Sequence, residues 1–294
     1  MKRIKVVNVG PVEWFSPHFV YTDNDFLAYE YDPFKMDVTL LDYCKEKKPD
    51  VLIIFRGDLV RAQLYQLRHI VQVEFSSEIY PDRLLPNSLS SQRAYAKFLH
   101  CMNSINPFHK IYHYDESRKG FLDIIGLDVH YTALPVNDSV FKNIINTVKD
   151  IDILFFGRAS LKRSQALNGL KECGIKFVWI ENGLCWKELA GFIVRAKTIV
   201  NLSAEDIDNF EPRILLGLAG GCYILTERSI GLDLFLKKNI MLKKYVKLIQ
   251  PNVESILDAY KSIDFDSLHN GYDLTLTKFL SSNQKLRDIL FDVI

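Results

Sequence analysis

Cysteine is scarce in this chain. Five occur in 294 residues, at Cys44, Cys101, Cys173, Cys185 and Cys222, and none belongs to a C-x-x-C pair. An odd, scattered set excludes a disulfide scaffold and a structural zinc site, and a reducing cytoplasm suits it best. An excess of one charge is also missing: 37 Lys and Arg face 36 Asp and Glu, a formal net charge of +1. A dedicated nucleic-acid binder carries a basic surplus, so no nucleic-acid partner is expected. Long apolar runs are absent too. The longest near-continuous one, Ile214 to Leu225, is broken by three glycines and falls short of the ~20 residues of a membrane span. Met1-Lys2-Arg3-Ile4-Lys5 has the charge of a signal-peptide start, but the apolar stretch after it breaks at Asn8 and Gly10. We read it as a first strand. No H-E-x-x-H, P-loop or G-x-S-x-G pattern occurs.

What is present is enough to bury a large core: 48% of residues are hydrophobic and 12% aromatic. Short β-branched or aromatic runs alternate with helix-period stretches. The expected strands are Ile4–Asn8, Val51–Phe55, Val71–Phe75, Lys110–Tyr114, Val129–Leu134, Ile151–Phe156, Lys176–Ile180, Thr198–Leu202 and Cys222–Thr226. Such alternation predicts an α/β fold with parallel sheets covered by helices on both faces. Leu134-Pro135-Val136-Asn137-Asp138 carries turn chemistry, so we divide the chain into residues 1–137 and 138–294. Within 274–294, Leu276, Phe279, Leu280, Leu286, Ile289, Leu290 and Val293 give a helical apolar stripe. That last helix is free to pack back on the first domain.

In open α/β sheets ligands bind beyond the carboxyl ends of strands, so the loops there are where chemistry is sought. The strand Ile151–Phe156 runs into Gly157-Arg158, then Ser160 as a helix N-cap for a helix reaching Cys173. Gly157 permits close approach of backbone to ligand, and Arg158, Lys162 and Arg163 add positive charge where they oppose the helix dipole. This suits a phosphate or diphosphate; the plain alternative is a solvated basic turn. A second segment, Asn201 to Arg213, is an acidic loop entering an apolar helix through Pro212. Glu211 and Arg213 need partners at a buried helix start, or they carry a desolvation cost. Trp179 and Trp186 are candidates for stacking on a base or sugar, with the core the favoured place for Trp179. Lys237, Lys238, Lys243, Lys244 and Lys247 surround Ile240-Met241-Leu242. They form a solvated face or, alternatively, a peripheral contact (Lys237–Lys247) with the anionic inner face of a membrane.

From Ile151 onward the chain resembles the C-terminal domain of GT-B glycosyltransferases of the group 1 type, and especially the CgeB-like, spore-maturation branch. The matching pieces are Phe156-Gly157-Arg158, the strand Ala196-Lys197-Thr198-Ile199-Val200-Asn201-Leu202, and Arg213 leading to Leu218-Ala219-Gly220-Gly221-Cys222-Tyr223-Ile224-Leu225-Thr226. The tail His269-Asn270-Gly271, followed by a helix with Arg287, is similar as well. Over residues 1–135 the likeness is generic. The resemblance implies two Rossmann-like domains facing across a cleft, and transfer of a sugar from a nucleotide-sugar donor to a glycan or lipid-linked acceptor. The setting it implies is cell-surface polysaccharide or glycoconjugate synthesis. It implies a diphosphate grip by Gly157, Arg158, Lys162 and Arg163, with no cofactor or essential metal. Relatives carry E-x7-E; here those positions fall on Asp208 and Leu216. The ribose contact then passes to Glu211, oriented by Arg213, unless the chain is a silent nucleotide- or sugar-binding module or a nucleotide-sugar epimerase of the same double-domain fold. An inverting transfer needs one base within ~3 Å of the acceptor hydroxyl, and the candidates are His18, Asp58 and Glu78. Glu74 stands near Glu78 on the other side of Phe75-Ser76-Ser77, and Arg56 precedes Gly57-Asp58.

Overall fold

The computed structural model describes residues 2–85, 88, 92, 94–96, 98–99, 110–141, 147–204, 208, 210–265 and 279–291. It divides into two units, Met1–Asn137 with Ser281–Ile294, and Asp138–Leu280. Cys101, Glu205, Asp206, the His269-Asn270-Gly271 tail, Leu276 and Val293 lie outside the described residues.

The first unit is built on β1 (Ile4–Val9), β2 (Phe26–Tyr31), β3 (Val51–Ile54), β4 (Val71–Ser76), β5 (Lys110–His113) and β6 (His130–Tyr131). They pair in the order β2-β1-β3-β4-β5-β6, each pair parallel. All four residues of β3 are buried, because helices cover both faces of a parallel sheet and leave its central strands no solvent side. Val7, Val9, Leu52, Ile54 and Leu64 form part of one core cluster. At the carboxyl edge an aromatic ladder runs across the strands. Phe15 stacks on Phe55, Phe55 on Phe75 and Phe75 on Tyr112, with ring centroids 5.4, 5.8 and 5.5 Å apart.

The second unit carries β7 (Ile151–Phe156), β8 (Phe177–Ile180), β9 (Ala196–Asn201), β10 (Tyr223–Thr226) and β11 (Val246–Leu248). The order is β11-β10-β9-β7-β8, again parallel throughout. Its core includes Ile153, Phe155, Leu167, Val200 and Leu225. In both sheets the first strand lies between the second and the third. The strand order therefore reverses beside β1, toward β3, and beside β7, toward β9. These are the topological switch points where such sheets open a crevice at their carboxyl edge.

Each of the nine expected strands is present, several trimmed. Where Val129–Leu134 was expected, β6 pairs over only His130–Tyr131. β2 and β11 were not anticipated. Both are edge strands, partly solvated: β2 buries only Phe26 and Tyr31 at its ends, and β11 is three residues long with Lys247 at its centre. Ser160 caps its helix as expected, its Oγ accepting the Arg163 N–H at 3.3 Å. That helix stops at Leu167 and tightens into a 3-10 turn over Asn168–Glu172 rather than continuing to Cys173.

The helix Ser282–Phe291 belongs to the first unit. Its buried Asn283 accepts the Tyr21 N–H through Oδ1 at 3.0 Å and donates through Nδ2 to the Tyr21 carbonyl at 2.9 Å and to Asp23 Oδ2 at 2.7 Å. Ser282 Oγ donates to the Phe19 carbonyl at 2.9 Å. Removing the Asn283 amide deletes its three part-buried hydrogen bonds to Tyr21 and Asp23, at about 1–3 kcal/mol. Asn283→Ala is thus expected to lower denaturant stability by roughly that amount, while Gln284→Ala, on the exposed side, leaves it unchanged.

Candidate functional site

At the switch point of the second unit, β7 ends and Gly157 turns the chain at φ +143°, a value that L side chains rarely adopt. A Cβ at Gly157 would lie 2.8 Å from Arg213 Nη2 and 3.6 Å from Arg163 Nη1. Two guanidinium groups therefore close on one backbone position. Arg163 donates from Nε and Nη2 to the Leu202 carbonyl at 3.0 and 2.7 Å, and from Nη1 to the Arg158 carbonyl at 2.9 Å. Arg213 donates from Nε to the Phe156 carbonyl and from Nη1 to Asn201 Oδ1, both at 2.6 Å. Both stack over the Phe155 ring, at 5.3 and 4.8 Å.

Arg163 and Arg213 are only 5% and 8% exposed. Neither forms an ion pair with a carboxylate among the described residues, and Arg213 Nη2 donates to nothing there. Burial pulls both pKa values down, that of Arg213 to about 10. Both therefore remain charged at neutral pH. Buried cations without a paired anion are costly. Hydrogen bonds to carbonyls and contact with an aromatic face offset part of that cost, and a bound anion would offset more.

The other residues expected around this site are placed differently. Arg158 is exposed and offers its carbonyl, not its guanidinium, to the turn. Lys162 is paired with Glu227 at 2.7 Å, a carboxylate close enough to claim its ammonium. Arg213 is bonded to Asn201 and Phe156, so its expected role of orienting Glu211 is corrected: the backbone and amide oxygens are its partners. Glu211 acts on both arginines only through space. Asp208 accepts the Ile230 N–H, and Leu216 is buried in the apolar helix Arg213–Ala219. Trp179 is half-buried, its Nε1 donating to the Gly157 carbonyl at 3.1 Å, and Trp186 is buried against Phe141. Of the lysine cluster, Lys237, Lys238, Lys243 and Lys244 are exposed, as are Ile240 and Met241. Among the described residues no group of three or more His, Cys, Asp or Glu could hold a metal ion, and no helix is long and apolar enough to cross a membrane.

In the first unit, His18 is buried beside the aromatic ladder, and its Nδ1 lies 2.6 Å from the Pro135 carbonyl. A carbonyl only accepts, so Nδ1 carries the proton and Nε2 the lone pair. Burial lowers its pKa to about 4, against the opposing carbonyl bond, and the ring is neutral at pH 7. Asp58 accepts a bidentate pair from Arg56 Nε and Nη2, each at 2.7 Å. Glu78 lies 3.8 Å from the same guanidinium. The carboxyl that stands out is Glu74, one position before Phe75 on β4. It is 5% exposed, and its Oε2 is buried with no hydrogen-bond partner. Burial, then the Asp58 charge, raises its pKa to about 8. A carboxyl that keeps its proton at neutral pH is able to donate it. The sequence offered Glu74 and Glu78 alike; burial decides between them, since Glu74 lies within a buried strand and Glu78 beyond it.

No family model matches the chain, and no curated protein matches it. Solved structures do. A UDP-GlcNAc 2-epimerase from Methanocaldococcus jannaschii superposes with a TM-score of 0.55 at 11% identity, over 98% of this chain and 99% of that one. A variant of Os79 from O. sativa, in complex with UDP, superposes with a TM-score of 0.51 at 7% identity, over 96% and 92%. These likenesses bear on fold. The chain has a GT-B fold. The glycosyltransferase SnogD from Streptomyces nogalater is a weaker match, with a TM-score of 0.47 at 10% identity over 98% and 99%.

The protonated Glu74 has a consequence for stability. Its folded pKa lies above the unfolded value, so its contribution is complete below about pH 4.5 and is lost as pH rises to about 8. His18 acts in the opposite sense, losing stability as pH falls from 6.5 toward 4. The two oppose each other below pH 6.5. Above it Glu74 acts without that opposition, and stability should fall by up to about 1.4 kcal/mol per pH unit between pH 6.5 and 8. Denaturant titrations across that window should show the slope in the wild type and its loss in Glu74→Gln.

Proposed function

We propose that this chain is a glycosyltransferase, of the CgeB-like kind its sequence resembles, that takes a nucleotide-sugar donor. The observation that carries the reading is the pair of buried arginines at Gly157, which form no ion pair with a carboxylate among the described residues. A diphosphate supplies the missing charge and acceptor oxygens in the planar geometry that guanidinium groups match. Arg163 and Arg213 flank it, and Arg158 reaches it from the exposed side. As the C1–O bond to the diphosphate breaks, negative charge grows on the leaving group. Fixed cations stabilise that charge most where water is excluded, which makes an essential metal unnecessary in this reading. Glu211 takes the ribose hydroxyls.

In the first unit His18 is the preferred base. It is neutral, its tautomer is fixed by Pro135, and Nε2 is left to accept the acceptor hydroxyl proton. Asp58, bonded to Arg56 through both oxygens, is the weaker base. The acceptor is a glycan or lipid-linked sugar, in cell-surface polysaccharide or glycoconjugate synthesis. The exposed lysines around Ile240 and Met241 give a cytoplasmic enzyme a peripheral hold on an anionic inner leaflet, at roughly 1 kcal/mol per lysine. Co-sedimentation with anionic vesicles tests that hold.

A second reading is favoured by one observation, the Asp58–Glu74 pair. One carboxylate to remove a proton and one carboxylic acid to return it suit a nucleotide-sugar epimerase, the activity printed for the Methanocaldococcus jannaschii neighbour. Incubation with a panel of UDP- and TDP-sugars separates the readings. Released nucleotide with sugar on an acceptor marks a transferase, an epimerised donor marks the epimerase, and binding without turnover marks a silent module. For the arginine site, Arg213→Gln should weaken UDP by about 10–100-fold, the scale of a charge-assisted hydrogen bond, and uridine hardly at all. Arg158→Ala should do the same to a smaller degree. Equal losses for UDP and uridine would place the diphosphate elsewhere.

A further inference from the structure

Trp14 and Phe34 are large aromatic side chains that folding has left outside, 55% and 62% exposed. They meet edge to face, ring centroids 6.2 Å apart and planes at 76°. The pair sits at the carboxyl edge of the first sheet, Trp14 beyond β1 and Phe34 beyond β2. Its backbone is fixed from beneath by a single buried carboxylate. Asp32 Oδ2 accepts the Val12 N–H at 3.0 Å and Oδ1 accepts the Phe34 N–H at 2.9 Å, so one side chain ties together the two segments that carry the rings. The far end of the second segment is held as well, Tyr31 Oη donating to the Val38 carbonyl at 3.0 Å. Trp14 also shares its segment with Phe15, which anchors the aromatic ladder, and with His18.

We propose that the Trp14–Phe34 corner is a stacking subsite for a pyranose ring of the acceptor glycan. The inference rests on the glycosyl-transfer reading for the word acceptor, and on the corner itself for the sugar. One face of a pyranose is a row of C–H groups carrying partial positive charge. It is complementary to the negative face of an aromatic ring, while its hydroxyls need polar groups at the rim. Glu13, Lys35 and Asp37 are exposed on the same two segments and supply donors and acceptors there. Two rings at a steep angle make a corner with two walls, which fits a sugar ring and its neighbour better than a flat partner. Because the backbone beneath is already fixed, little ordering entropy remains to be lost on binding.

The test uses the full chain on an array of neutral hexose and N-acetylhexosamine oligosaccharides, followed by saturation-transfer NMR on the glycans retained. The wild type should retain at least one. Trp14→Ala and Phe34→Ala should each weaken it by about tenfold, the loss of one aromatic contact, and Trp14→Tyr should largely restore it. The rise in melting temperature caused by UDP should be the same in all four proteins. Retention of no glycan, or retention unaffected by Trp14→Ala, overturns the proposal. So does wild-type self-association that Trp14→Ala abolishes, because a second copy would then cover the corner. A wild type that binds glycan through Trp14 but ignores UDP would instead overturn the nucleotide-sugar reading and leave the subsite standing.

Discussion

Two guanidinium groups held out of water beside one glycine set the terms for the second unit. Arg163 reaches back to the end of β9 through the Leu202 carbonyl, and Arg213 joins the end of β7 to Asn201. Asn201 in turn donates to Thr226 Oγ1 on β10 at 2.9 Å. Three neighbouring strands are thereby tied together at their carboxyl edge by side chains that form no ion pair with a carboxylate among the described residues. Such an arrangement is expensive for folding alone. An apolar residue of similar volume would stabilise the unit as well or better, which is why the arginines point to an anion. The constraint also explains Gly157: a side chain there would meet Arg213, and the backbone angle would be strained in any case.

The first unit divides its polar groups in another way. Arg56 and Asp58 satisfy each other through two short bonds, and His18 is held by a carbonyl. Glu74 is left with a buried oxygen that nothing meets, and it responds by keeping its proton. Desolvation thus keeps the proton on Glu74, while Asp58 turns both of its oxygens to the Arg56 guanidinium. The aromatic ladder from Phe15 to Tyr112 lies against His18 through Phe55, on the opposite face of β4 from Glu74. The arginine pair in one unit and the His18 and Glu74 groups in the other both lie where the same strand-order rule opens a crevice.

Much of this was legible in the sequence. The run Ile151–Phe156 reads as a strand, and Gly157 after it as the turn at its carboxyl end. The missing parts have physical reasons. β2 and β11 are edge strands, one buried only at its ends and the other three residues long, and neither stands out from the surrounding loops. Lys162 looked like a phosphate ligand because spacing along the chain cannot reveal Glu227, 65 positions further on, at 2.7 Å. Arg213 looked like a partner of Glu211 because they are neighbours in sequence. Its actual partners come from β7 and β9, and only the strand order brings those together. Glu74 was outweighed by Glu78 because burial, not identity, distinguishes two glutamates four residues apart.

The central claim is that a diphosphate completes the arginine pair. Phosphorus NMR of UDP titrated with the full chain reports on that contact directly. The account predicts that the α- and β-phosphorus resonances both shift on binding, and that the shift is lost with Arg213→Gln while the chain remains folded. Phosphorus resonances that stay at their free positions while the uracil protons broaden would contradict it, because the nucleotide would then be held by its base, away from Gly157.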